Sequence, residues 1–263
     1  MSNVVRSPAV NSLTATLDGG TTRFTIPPMT HHETQQDEPK RGALARPLDA
    51  LAFLLPLIVF YELACLAYPG RVIAFDLLQQ FLQLFGDVGT HAPGLAVIVI
   101  LLATHGASGE PWRIHWRHVA WMYAEAVLLA APLLAINYLT LLAAGPEQGD
   151  FVAQLALGVG AGVYEELVFR LVLLSVVVII GTDILRLDRR NVGIAAITIS
   201  SVVFAAHHHR PIGAEEFELS VFIFRTIAGA YLATIFWYRG YGPAAGCHAV
   251  HNIALSCAQF LGG

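Results

Sequence analysis

Glu165, Glu166 and Arg170 sit inside an apolar run that extends from about Phe151 to Ile180. A run of that length can cross a bilayer, which takes ~20 apolar residues. Each ionisable side chain at a helix centre costs ~2.5–3.5 kcal/mol on insertion scales, so three of them need partners. Glu166 and Arg170 are four apart, share a helical face and can neutralise each other. That leaves Glu165, and an intramembrane carboxylate is by default a functional group. Two later apolar runs carry groups able to meet it. One ends FAAHHHR, with His208 four residues after Phe204, and another opens GCHAVHN, with His248 and Asn252 on one face. Imidazole and amide groups in hydrocarbon each need a polar partner, and the nearest supply is one another. A carboxylate with two imidazoles suits proton transfer. Glu165, His208 and His248 would also give three zinc ligands with a fourth position open, although the H-E-x-x-H spacing of helical zinc proteases is absent.

The elements that must position these groups follow from composition. Of 263 residues, 56% are hydrophobic and 13% charged, against ~25% charged in a soluble domain, and mean hydropathy is +0.60. The fold class expected is all-α, a polytopic transmembrane helical bundle of about seven spans, with six or eight as alternatives. No basic cluster is present to neutralise phosphates, which excludes nucleic acid as a partner. Cys65, Cys247 and Cys257 lie in or beside apolar runs without C-x-x-C spacing and read as small buried hydrophobes.

Residues 1–46 are polar, lack a sustained apolar run and are expected to be a disordered cytoplasmic tail, followed by a membrane-embedded domain over 47–263. No secretory signal is read at the start, which fits a bacterial inner membrane. The expected spans are about Leu48–Tyr68, Gly94–His105, His118–Ala144, Phe151–Ile180, Val192–His207, Leu219–Tyr238 and Gly242–Leu261, the second short unless it begins near Val88. Between the first two, Phe75, Leu78, Phe81, Leu82 and Phe85 recur at helical spacing, an amphipathic stretch. Gly158 and Gly162 form a G-x-x-x-G, a signal of close helix packing.

With the N-terminus inside, Lys40, Arg41, Arg46, Arg113, Arg117, Arg186, Arg189, Arg190 and Arg239 are cytoplasmic, while only Arg71 and Arg210 lie outside. That bias follows the positive-inside rule. Trp112, Trp116 and Trp121, beside His115 and His118, read as an interfacial belt on the same side. Depth gives a further expectation. Entering from outside near Phe151, Glu165 lies ~9 Å from the inner face of a ~30 Å core, and His248, entering near Gly242, lies ~9 Å from it as well. Counted from Val192, His208 lies ~24 Å from that face, a mismatch unless its helix starts in the cytosol or tilts.

Taken together, EELVFR, FAAHH and HAVHN fit E-E-x-x-x-R, F-x-x-x-H and H-x-x-x-N in order on successive hydrophobic segments. The chain thereby resembles the CAAX-protease and bacteriocin-processing family of intramembrane proteases, over roughly Phe151 to Leu261. The resemblance implies that Glu165 and His208 hold and activate a water, that His248 and Asn252 steady the oxyanion, and that Glu166 and Arg170 fix the helix and its charges. A carboxylate withdrawn from water makes a competent general base, and donors aimed at a developing oxyanion lower the barrier. Motif register alone chooses among His207, His208 and His209, and His251 lies one turn from His248 as a competitor. The expected activity is an intramembrane endopeptidase acting on peptide or protein substrates near the membrane surface. A metal-free, glutamate-dependent mechanism is favoured over a zinc-dependent one. The alternatives are a non-catalytic scaffold or immunity protein and a proton-coupled transporter.

Overall fold

The computed structural model describes residues 12–17, 20–25, 46–68, 87–143, 150–213 and 215–261. Within the segment read as a disordered tail, β1 (Ser12–Leu17) and β2 (Gly20–Thr25) pair antiparallel, with Ser12 opposite Thr25 and Leu17 opposite Gly20. Thr14, Thr16, Thr21, Thr22, Phe24 and Thr25 supply strand propensity. The hairpin falls in the first of the two units into which the chain divides.

The second unit is a bundle of seven helices among the described residues: α1 (Pro47–Ala67), α2 (Asp87–Ser108), α3 (Trp116–Ala143), α4 (Phe151–Ile184), α5 (Arg189–Ala206), α6 (Leu219–Arg239) and α7 (Tyr241–Leu261). Helix α2 begins seven residues before the expected Gly94, which resolves the short second span. The amphipathic stretch around Phe75–Phe85 lies outside the described residues. Five helices (α1, α2, α3, α4 and α6) contain segments long and apolar enough to cross a membrane. Their outer faces carry exposed Leu66, Leu95 and Leu128, the last 71% exposed. So much exposed apolar surface among the described residues calls for lipid. The protein is an integral, multi-pass membrane protein.

Helix α7 carries several of the site's polar groups, among them His248, His251 and Asn252. It can do so because Tyr241 through Ala249 are all buried, packed against α4 and α3 and shielded from lipid by protein. The G-x-x-x-G of α4 makes this contact. A Cβ on Gly162 would lie 2.5 Å from the Ala249 backbone nitrogen, and one on Gly158 would lie 3.1 Å from Cβ of Asn252. The Tyr241 hydroxyl donates to the Val163 carbonyl at 2.8 Å and pins the start of α7 to α4. Between α6 and α7 the chain reverses through Gly240, whose φ of 92° favours glycine.

Asp150 caps α4, accepting from the backbone N–H groups of Val152 and Ala153. The helix then runs 34 residues without a break, ~51 Å at 1.5 Å per residue. That is far longer than a ~30 Å hydrocarbon core. The depth mismatch for His208 comes from assuming that α4 ended where such a core ends. Glu165, counted back from Ile184, and His208, counted forward from Arg189, are equally far from the α4–α5 connection.

The tryptophans of the expected belt, Trp112, Trp116 and Trp121, are exposed. His115 and His118 are not simply companions to them. Both face the buried Asp49 in the first turn of α1. The Asp49 carboxylate accepts the His115 backbone N–H at 2.8 Å and lies 3.0 Å from Nδ1 of His118, joining the starts of α1 and α3.

Candidate active site

Directly after Glu166, α4 changes from α-helical to π-helical geometry over Leu167–Leu174. Such wide turns concentrate at functional sites. Here the turn follows a helix segment that must turn two adjacent carboxylates toward different neighbours. Glu166 is fully buried, and its Oε1 lies 2.9 Å from the Arg170 guanidinium. Arg170, also fully buried, donates to the Gly229 carbonyl at 3.1 Å and lies over the Phe204 ring at 4.3 Å. The guanidinium therefore ties α4 to both α5 and α6. The Ser200 hydroxyl adds a bond to the Phe169 carbonyl at 2.8 Å.

Glu165 points toward the end of α5. Its Oε1 lies 3.9 Å from Nε2 of His207 and 3.9 Å from Nε2 of His208, and its Oε2 lies 3.8 Å from Nε2 of His248. Three imidazoles, two from the end of α5 and one from α7, thus meet around one buried carboxylate of α4. These separations exceed direct hydrogen bonds and match a site with a small molecule between the partners.

The other nitrogen of each ring is engaged. Nδ1 of His207 and Nδ1 of His208 lie 2.6 and 2.9 Å from the same acceptor, the Phe204 carbonyl. A carbonyl only accepts, so both Nδ1 atoms carry hydrogen and each neutral ring turns a lone pair on Nε2 toward Glu165. His248 is held the same way, with Nδ1 3.0 Å from Glu166 Oε1. Glu166 thereby bridges Arg170 and His248. This is how supporting groups fix a working imidazole's tautomer and orientation.

Of the residues singled out by sequence, the structure brings Glu165, Glu166, Arg170, His208 and His248 into one connected cluster. Asn252 is one turn further along α7, where Nδ2 donates to the Gly158 carbonyl at 3.1 Å and Oδ1 faces Nδ1 of His251 at 3.2 Å. One Nδ2 hydrogen serves helix packing, and a second remains in the amide's inventory. His251 pairs with Asn252 rather than with Glu165. His209, the third of the run, turns away and is held by the Glu216 carbonyl at 3.1 Å.

His207 is the group that sequence reading left open. The F-x-x-x-H register selects His208, yet consecutive residues in a turn are not confined to one helical face, and the His207 and His208 rings lie against each other, tilted by 59°, with centroids 3.9 Å apart. Tyr164, also unforeseen, precedes Glu165 but points the other way, donating to Glu62 on α1 at 3.1 Å, while the other Glu62 oxygen pairs with His91 on α2. Ligand atoms of Glu165, His207 and His208 all lie within 4.8 Å of one another. That set suits a divalent cation as well as a water, and it differs from the Glu165, His208 and His248 set expected from sequence.

No curated protein matches the chain, and no solved structure matches it. A family model does: residues 147–254, which contain Glu165, Glu166, Arg170, His208, His248 and Asn252, match the type II CAAX prenyl endopeptidase Rce1-like family.

Proposed function

We propose that this bundle is an intramembrane endopeptidase that hydrolyses peptide bonds near the membrane surface. The observation that carries the reading is the convergence of three imidazole Nε2 atoms on the buried carboxylate of Glu165, at 3.8–3.9 Å. A water oxygen fits at about 2.8 Å from Glu165 Oε1 and from a facing Nε2. Glu165 takes one of its protons as the oxygen attacks the substrate carbonyl, and His208 accepts a hydrogen bond from the other. His248, when it carries its second proton, and Asn252, through its remaining Nδ2 hydrogen, are the donors available to the oxyanion. Glu166 and Arg170 hold His248 and the α4–α5–α6 junction in place.

The reaction in this reading is metal-free. Each part of a hydrolysis has a side chain assigned to it, and a carboxylate with an imidazole suffices to polarise water. Were zinc bound, Glu165, His207 and His208 would hold it, and it would supply Lewis acidity to the water. Exhaustive chelation separates the two, since activity should persist through it.

The substrates are peptides or membrane-anchored proteins that reach the site from the bilayer. The orientation that fits the arginine distribution has the N-terminus in the cytoplasm of a bacterial inner membrane. The direct test reconstitutes the full chain in liposomes with a membrane-protein extract and maps new peptide termini by mass spectrometry. Cleavages made by the wild type and not by Glu165→Gln support the reading. An identical set of termini from both proteins would sink it.

A further inference from the structure

We infer that His207 is a second catalytic imidazole, acting with His208 on the two proton transfers that peptide hydrolysis requires. This rests on the endopeptidase reading and adds a residue that the family motif does not contain. The geometry treats the two histidines alike. Each has Nδ1 directed at the Phe204 carbonyl and Nε2 at 3.9 Å from the same oxygen of Glu165. Their rings are in tilted contact, and both side chains are shielded, with relative exposures of 11% for His207 and 20% for His208. His209 shares the sequence run and none of this geometry.

Because Nδ1 of each ring is committed to Phe204, only Nε2 faces the reaction, so one imidazole serves one partner at a time. Amide hydrolysis needs two such services. The attacking water gives one proton to Oε1 of Glu165 and hydrogen-bonds through the other to one Nε2, while its oxygen bonds to the carbonyl carbon. The proton on Glu165 then passes to Nε2 of the other imidazole. From there it moves to the amine nitrogen as the C–N bond breaks. The second water proton leaves with the product acid, and the carboxylate and both neutral imidazoles are regenerated. The 3.9 Å separations need to shorten by about 1 Å for these transfers, as catalytic hydrogen bonds commonly do once substrate is bound. With His207 removed, His208 must hold the water and protonate the leaving group by itself. Whichever ring normally does which, the loss falls on the departure of a poor leaving group.

The packing alternative is that His207 merely fills space against Phe169, 4.7 Å away between ring centroids. A peptide identified by the terminus mapping, and its depsipeptide analogue with an ester at the scissile position, distinguish these roles. An alkoxide departs with far less need of a proton than an amine does. For His207→Gln, kcat on the amide is expected to fall ~10²–10³-fold, within the usual contribution of a general acid, and on the ester less than ~10-fold. His207→Phe keeps an aromatic ring against Phe169 and should show the same selective loss, with wild-type melting. Glu165→Gln should lose both substrates. Unchanged amide turnover in His207→Phe, or equal losses on amide and ester in both variants, overturns the role of His207 while leaving the endopeptidase reading intact. A wild type inactive on every peptide, or a Glu165→Gln variant with full turnover, instead brings down the reading itself.

Discussion

Two buried carboxylates in this bundle face histidines, Asp49 two of them and Glu165 three, and the contrast between them separates a joint from a reaction site. At the start of α1, Asp49 makes direct contacts: 2.8 Å to the His115 backbone nitrogen, 3.0 Å to His118 Nδ1 and 3.3 Å to His115 Nδ1. Its histidines present Nδ1 to the acid, and the two side chains are 49% and 36% exposed. Around Glu165 the rings are reversed. Nδ1 is bound to supporting groups, Nε2 faces the acid, and every separation is 3.8–3.9 Å. Asp49 is saturated by its neighbours and has nothing left to give a reactant. Glu165 is faced by three imidazole nitrogens at 3.8–3.9 Å, about 1 Å beyond direct contact, a spacing that a water can bridge. Both sites set imidazoles around a carboxylate; ring orientation and about 1 Å of distance separate them.

The sharpest way to break this comparison is to neutralise the acid at the reaction site. Glu165→Gln keeps the volume and cannot take a proton, so turnover should fall at least ~10²–10⁴-fold, with little change in melting temperature. If cleavage assays found near-normal rates, Glu165 would be another Asp49. Arg170→Ala attacks the support rather than the chemistry. It leaves the fully buried Glu166 without its counter-charge, and truncating one partner of a buried pair costs ~3–5 kcal/mol. Thermal unfolding in detergent should show a large loss, with His248 released from its anchor. A stable and fully active Arg170→Ala protein contradicts that role.

Asp49→Ala should show the opposite profile from Glu165→Gln. The loss of hydrogen bonds to a buried charged acceptor is worth ~1–3 kcal/mol, visible as a lower melting temperature, while kcat stays within a few-fold of wild type. A turnover loss as deep as that of Glu165→Gln would erase the distinction drawn here. The smallest effect concerns the turn that carries His207 and His208. Glu215 closes that turn, accepting Arg210 N–H through its backbone carbonyl at 2.8 Å and pairing with Arg225 at 2.5 and 2.8 Å through its side chain. Arg225 holds the Glu215 carboxyl below its ordinary range. Its folded value lies under the unfolded ~4.3, so the pair's stabilisation is fully present above that pH and is lost as pH falls through the folded value. The melting difference between wild type and Glu215→Gln should therefore be constant near neutrality, shrink below about pH 4 and weaken with salt. Glu215 is about half exposed, so the difference should be slight; one that grew on acidification would reverse the sign argued here.

Much of this was determined by the sequence alone, for local reasons. Apolar runs long enough to cross a bilayer fix helices in lipid because no other partner exists for their backbone groups. The cost of Glu165, Glu166 and Arg170 in such a run marked α4 as the centre, and i,i+4 spacing joined Glu166 to Arg170 before any coordinates. G-x-x-x-G foretold the close approach that Gly162 makes to Ala249. Tertiary structure alone decided which histidines share the acid. His207 and His208 leave a helix end, where periodicity no longer assigns faces, and a single carbonyl, Phe204, turns both rings the same way. It also decided that α7 could carry His248, His251 and Asn252, because burial by α3 and α4 removes the need for an apolar surface. Depth counting misplaced His208 for a related reason. Hydropathy along a chain records how much of a helix is apolar, whereas where α4 ends and how its neighbours cross it are set by packing between helices, to which no single segment contains the answer.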